Sequence, residues 1–86
     1  MYYYVYLIIS TNQIKPISYV GYTKDLTNRI NLHNKGKGAK FTKGRQWKLI
    51  YSKKFNNKNK ALSEEYNLKK NFKLRAKIKN KYFENV

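Results

Sequence analysis

The stretch Tyr2-Tyr3-Tyr4-Val5-Tyr6-Leu7-Ile8-Ile9 carries no charge and is built from β-branched and aromatic residues. It reads as a strand, with Tyr3, Val5, Leu7 and Ile9 on one face and Tyr2, Tyr4, Tyr6 and Ile8 on the other. A strand with no charged face belongs at the centre of a sheet or under cover on both sides, and its tyrosine face brings hydroxyls to any polar cleft beside it. The polar residues 10–16 then read as a turn and residues 17–22 as a second strand, which makes an antiparallel hairpin. Gly21 marks a point where another backbone or a ligand approaches closely.

Outward from the hairpin, Thr23 is read as the N-cap of a helix starting near Lys24, with Asp25 in its first turn and Gly36 as its stop. On this helix, running to about Asn34, Leu26 and Ile30 fall within about 40° of each other, and Arg29 and His33 lie on the same side. Residues 35–45 form a loop rich in glycine and basic residues. Trp47, Leu49 and Tyr51 alternate in a third strand over 46–52. An Asn/Lys-rich connection over 53–60 runs into a second helix over 58–73. On that helix Ala61, Leu68 and Phe72 make an apolar stripe with Glu65 inside it, and Glu64 falls on the polar side with Lys60. Leu74, Ile78 and Tyr82 suggest a short, basic third helix. The expected fold is α+β, a three-stranded antiparallel sheet flanked by helices in the order ββαβαα, with residues 1–86 as one domain and no internal repeat.

Composition narrows the function. Twenty Lys and Arg against four Asp and Glu give a formal charge of +16, which points to a polyanionic partner, with nucleic acid first. An AT-rich coding sequence would favour Lys, Asn and Tyr regardless of function, but it does not explain the shortage of acids. A hydrophobic share of 41% is too high for a disordered basic tail. The absence of Cys excludes disulfides, thiolate metal sites and cysteine nucleophiles. The apolar run is too short to span a bilayer and lacks a basic flank and cleavage site, so a cytoplasmic location is expected.

Three groups of side chains carry chemistry. Glu65, a carboxylate inside an apolar stripe, must be paired, protonated or metal-bound. An i,i+4 ion pair with Lys69 is the structural alternative, although an ion pair suits Glu64 and Lys60 better. Mg²⁺ typically takes one or two carboxylates and completes its shell with water and phosphate oxygen. Arg29, with few acids to meet, is suited to phosphate, and His33 beside it is either a satisfied buried histidine or part of the same site. The tyrosines are core or rim unless context promotes them.

That context is a resemblance. Val5-Tyr6-Leu7 and Tyr19-Val20-Gly21, followed by Thr23, Arg29 and His33-Asn34, resemble the two-part signature of the GIY-YIG nuclease superfamily. Gly36-Lys37-Gly38-Ala39-Lys40, the segment 47–51, Ala61-Leu62, Glu65-Tyr66 and Leu68-Lys69-Lys70 are similar to its small stand-alone members, and to the catalytic module of the eukaryotic junction-resolving nuclease. The chain departs from the pattern in reading Val-Tyr-Leu for Gly-Ile-Tyr and Val for Ile, and Tyr6 is aligned with the motif tyrosine, with Tyr4 the alternative. The resemblance implies a DNA endonuclease dependent on Mg²⁺, with Mn²⁺ as a substitute, leaving 5′-phosphate and 3′-hydroxyl ends. Tyr6 and Tyr19 are then the active-site phenols, Arg29 the phosphate clamp, His33 an accessory polar group and Glu65 the metal ligand. Tyr6 is the preferred base, its pKa lowered by Arg29 and metal charge, with Tyr19 or His33 as alternatives.

Lys35, Lys37, Lys40, Lys43 and Arg45 are expected to follow the DNA backbone, which positions a substrate without reading bases. The substrate is expected to be branched, flapped or nicked DNA, with RNA also admissible, in repair or recombination. The chain is expected to act as a monomer or weak homodimer. The rival reading is a basic nucleic-acid-binding domain that retains the fold without turnover. A membrane-surface role needs a larger apolar face than Leu74, Ile78 and Tyr82 offer.

Overall fold

The computed structural model describes residues 1–11 and 15–85. Three strands, β1 (Tyr3–Ser10), β2 (Ile17–Thr23) and β3 (Lys48–Phe55), alternate with three helices, α1 (Leu26–Asn34), α2 (Lys58–Lys70) and α3 (Phe72–Glu84), in the expected order ββαβαα. The sheet is antiparallel with the order β2-β1-β3. The uncharged strand is therefore the central one, and every residue from Val5 through Ser10 is buried. On one side of the sheet Val5, Leu7 and Val20 pack with Ala61 and Leu68 of α2. On the other, Tyr6, Ile8 and Trp47 pack with Ile17, Tyr19 and the α1 residues Leu26 and Ile30. Two covered faces account for a strand without polar alternation. The β1–β2 turn expected over residues 10–16 falls partly on residues 12–14, outside the described residues; Ser10 itself still belongs to β1.

Register places Tyr6 opposite Gly21 and Ile8 opposite Tyr19. β1 and β3 shift register between Leu7 and Ile8, whose partners are Tyr51 and Leu49, so Ile50 is the extra residue of a bulge.

Four expected boundaries are corrected. Thr23 is not the helix cap: it still pairs with Tyr4 as the last residue of β2, and its hydroxyl accepts the Asp25 N–H at 3.1 Å. Asp25 is the N-cap, its carboxylate accepting the Asn28 N–H at 3.1 Å. The third strand begins at Lys48 and runs on to Phe55, because Trp47 is buried against the α1 side before the strand starts. α2 stops at Lys70, since Asn71 turns out of the helix and caps α3 by accepting the Leu74 N–H at 3.0 Å. Phe72 therefore opens α3 with 66% of its surface exposed and does not extend the Ala61/Leu68 stripe. Arg75 ties the two helices by donating to the carbonyls of Leu68 and Lys69 at the C-terminal end of α2. Among the described residues no helix is long and apolar enough to cross a membrane.

Candidate functional site

Gly21 explains how the central tyrosine is placed. A Cβ at Gly21 would lie 2.2 Å from the Tyr6 hydroxyl and 2.3 Å from its Cζ, so the ring lies flat across the neighbouring strand where any side chain would exclude it. The close approach anticipated at Gly21 is therefore made by Tyr6. With 1% of its surface exposed, the ring presents its hydroxyl to Nε2 of His33 at 2.7 Å.

The hydrogen-bond pattern fixes the direction of that bond. The Thr42 hydroxyl donates to the Ala39 carbonyl at 3.0 Å, which spends its one proton. His33 Nδ1, 2.8 Å from the same oxygen, must then be the donor. Burial and Arg29 favour the neutral imidazole, in which Nε2 is left as the acceptor and the Tyr6 O–H points at His33. Tyr6, His33 and Thr42 donate in turn, and the chain ends on the Ala39 carbonyl as acceptor. Gly38 makes room for it, since a Cβ there would sit 2.3 Å from His33 Nδ1.

The loop after α1 is held by side chains. The Asn34 amide brackets the backbone of Trp47, accepting from its N–H at 2.5 Å and donating to its carbonyl at 3.2 Å. The Trp47 indole N–H donates to the Thr42 carbonyl at 2.8 Å. Thr42 is thereby buried, while its neighbour Phe41 is 58% exposed and stacks on Tyr19 at 6.0 Å and 22°. Tyr19 in turn meets His33 edge to face at 5.2 Å.

Charge follows burial. His33 is 0% exposed, and that burial, helped by the Arg29 guanidinium, holds its pKa below the ordinary 6.5. Burial likewise pushes the Tyr6 phenol well above 10, with Tyr19 and Glu65 adding to the rise and Arg29 opposing it. The expectation that Arg29 lowers the Tyr6 pKa is thus overturned for the protein alone: the guanidinium pulls downward, but desolvation is the larger effect. The charges of Arg29 and Glu65 and the phenol of Tyr19 all act on the Tyr6 hydroxyl, Arg29 favouring its ionisation and the other two opposing it. Arg29 is half-buried, and no ion pair to it occurs among the described residues.

Both α2 carboxylates are half-buried, and they face different ways. Glu64, expected on the polar side, lines a small cavity toward β3 with Val5, Tyr51, Lys53 and Phe55. Glu65 is the one whose charge reaches Tyr6. Its side chain is 21% exposed and is paired with Lys69 at 3.7 Å, so the ion pair assigned to Glu64 and Lys60 in fact belongs to Glu65. At that separation it is a loose pair, longer than a charge-assisted hydrogen bond. No cluster of three His, Cys, Asp or Glu side chains occurs among the described residues. A single carboxylate does not make a zinc or calcium cage, but it suits Mg²⁺, which keeps several waters and takes phosphate oxygens. Of the loop cations, Lys35, Lys37, Lys40 and Lys43 are exposed, and Arg45 is half-buried with its Nη1 buried and unpartnered. Along the outer edge of β2, a cleft of about 310 Å³ is lined by Ser18, Tyr19, Val20, Phe41, Lys69 and Arg75.

Sequence reasoning missed Thr42, Gly38 and Phe41. All three act through a loop without periodicity, and a glycine next to Ala39-Lys40 gives no sign that it shelters an imidazole.

Comparison with known proteins identifies the family. The profile of the GIY-YIG catalytic domain matches residues 2–82. The UPF0213 protein of Oceanobacillus iheyensis is 45% identical over 67 residues, covering 77% of this chain and 74% of that one. The UPF0213 protein of Pediococcus pentosaceus is 52% identical over 52 residues, covering 59% and 55%; the match thus spans from about half to three quarters of these relatives. The solution NMR structure of the UPF0213 protein BH0048 from Bacillus halodurans superposes with a TM-score of 0.51 at 36% identity, covering 94% of this chain and 86% of that one. With its profile matched almost end to end, the chain belongs to the GIY-YIG family, a family of nuclease domains.

Proposed function

We propose that the chain is a metal-dependent endonuclease that hydrolyses DNA phosphodiester bonds, nicking structure-selectively or with weak sequence preference and leaving 5′-phosphate and 3′-hydroxyl ends. The reading rests on one observation: the Tyr6–His33 hydrogen bond is directed and buried, and the charges of Arg29 and Glu65 bear on the same hydroxyl. A structural core needs no such convergence of one acid, one guanidinium and two phenols in a chain with so few acids.

In this reading Arg29 binds the phosphate and stabilises charge building on its oxygens. Glu65 holds the divalent cation, Mg²⁺ or Mn²⁺, which supplies Lewis-acid polarisation of the phosphate and support for the leaving 3′ oxygen. As water attacks phosphorus, its proton passes to the Tyr6 oxygen while the Tyr6 proton passes to His33 Nε2. The P–O3′ bond breaks as the new P–O bond forms, and the departing 3′ oxygen takes a proton from solvent to become the 3′-hydroxyl. The imidazolium that results donates from both nitrogens, one of which already has the Thr42 oxygen as its partner. Phosphate on Arg29 also offsets the charge that depresses the His33 pKa, so the base strengthens when substrate is in place. The burial of Tyr6 keeps bulk solvent from its hydroxyl. Lys35, Lys37, Lys40, Lys43 and Arg45 contribute sequence-independent grip.

The Glu65–Lys69 ion pair favours a second reading, in which the carboxylate is structural and the chain only binds nucleic acid. A cleavage assay with Mg²⁺ on branched, flapped, nicked and linear DNA separates them, comparing the intact chain with Glu65→Gln. Nicking that disappears in the variant while DNA binding persists supports the endonuclease. Binding without cleavage by either protein supports the binding domain.

A further inference from the structure

We propose that Phe41 is a stacking platform for an unpaired nucleobase beside the scissile phosphate, so that the preferred substrates carry at least one nucleotide outside the duplex. This deepens the nuclease reading and rests on it. Phe41 is an aromatic ring held out in water by a backbone that is not free to fold it away. The next residue, Thr42, is fully buried, bonded through its hydroxyl to His33 and Ala39 and through its carbonyl to the Trp47 indole. The ring lies nearly parallel to Tyr19, which touches the imidazole of the directed chain. It is therefore fixed next to the candidate reaction centre, at the mouth of the cleft it shares with Tyr19, Lys69 and Arg75.

The surroundings select the partner. Lys40 and Lys43 lie close to the ring in sequence and are exposed, and the cleft lining includes Lys69, loosely paired with Glu65, and Arg75, whose Nη1 is held by the carbonyls that end α2. An apolar protein or lipid partner would have to desolvate these cations, whereas a polyanion bearing flat rings satisfies both. Within a duplex both faces of each base are covered by neighbours; only at a flap, gap, loop or end does a base offer a face to a side chain. The basic loop gives no such discrimination, because phosphates are present in every substrate.

The test uses DNA of one sequence, fully paired or carrying a 5′ flap with 2-aminopurine at the first unpaired position, in EDTA so that the strands stay intact. The intact chain is expected to bind the flapped DNA more tightly and to change the 2-aminopurine emission on binding. Phe41→Ala is expected to lower the ratio of flapped to paired affinity by roughly 5- to 150-fold, the range found for removing one base-stacking aromatic, and to abolish the emission change. Phe41→Tyr keeps the ratio, and Phe41→Leu, which preserves an apolar contact with Tyr19, loses it. A ratio unmoved by Phe41→Ala, or equal behaviour of the Leu and Tyr variants, overturns the stacking role while leaving the nuclease reading intact. If the intact chain binds neither DNA and cuts none with Mg²⁺, both fall together.

Discussion

Tyr6→Phe removes one oxygen and keeps the ring over Gly21, so its consequences follow from the hydrogen bond alone. His33 Nε2 loses its donor at 2.7 Å and becomes a buried acceptor without a partner. Such a loss costs about 1–3 kcal/mol, and for a chain of this size each kcal/mol lowers Tm by about 4–8 °C. The variant also changes titration in a stated direction. The Tyr6 oxygen is also the acceptor that an imidazolium Nε2–H would use, so its removal takes a charge-assisted bond from the cation and moves the imidazole pKa further down from the position that burial and Arg29 already depress. His33 is the one histidine in the chain, so its ring resonances are assigned without ambiguity in a proton–nitrogen NMR titration. The wild type should show Nδ1 protonated and Nε2 bare, and the variant should titrate at lower pH. A wild-type spectrum with the proton on Nε2, or a variant that is as stable as wild type and titrates where it does, refutes the directed chain.

Gly38→Ala drives a Cβ to within 2.3 Å of His33 Nδ1 and is expected to cost about 1–3 kcal/mol by overpacking, with turnover falling further than stability; denaturation and cleavage measured on one preparation check this. Because folded His33 resists protonation, the unfolded state binds more protons as pH drops below about 6.5, so stability should fall there; urea midpoints at pH 7.5 and 5.5 report it, and Thr42→Val should alter the pH dependence. Arg29→Ala is expected to reduce turnover more than affinity, and a pure affinity effect would remove it from phosphate stabilisation. Neutralising Lys35, Lys37, Lys40 and Lys43 should flatten the salt dependence of binding by up to about 0.9 in slope per lysine that contacts phosphate in duplex DNA, with an unchanged slope excluding the loop from the interface.

What the sequence made readable is what period and charge determine. β1 could be placed at the sheet centre because a strand without a charged face must be covered twice, and burial on both sides bears that out. The helix wheel put Arg29 and His33 on the side where Leu26 and Ile30 pack, because residues one turn apart share a face. The wheel was less useful wherever a side chain answers to a distant partner. Phe72 fitted the α2 stripe by spacing, but spacing does not register that Asn71 prefers to cap the next helix. Trp47 fitted a strand alternation, but it is buried with Tyr6 and Ile8 ahead of the strand, its indole N–H satisfied by a loop carbonyl. The Tyr6 pKa was misjudged because the neighbouring guanidinium is visible in sequence and the depth of burial is not.

The two close-packed glycines show why this site is a unit and not a set of independent residues. Gly21 admits the Tyr6 ring from one strand, and Gly38 admits the His33 ring from the loop; between these two absences of a side chain the phenol and imidazole are brought to hydrogen-bond distance. Thr42 then sets the proton order, Trp47 and Asn34 hold Thr42 in place, and Phe41 is exposed because its neighbour is not. Phe41 is therefore linked to the phenol through its covalent neighbour Thr42 and two hydrogen bonds, Thr42 to His33 and His33 to Tyr6. Double-mutant cycles between Phe41 and Tyr6 should consequently show coupling in turnover, although among the described residues the ring that Phe41 stacks on is that of Tyr19 and not Tyr6.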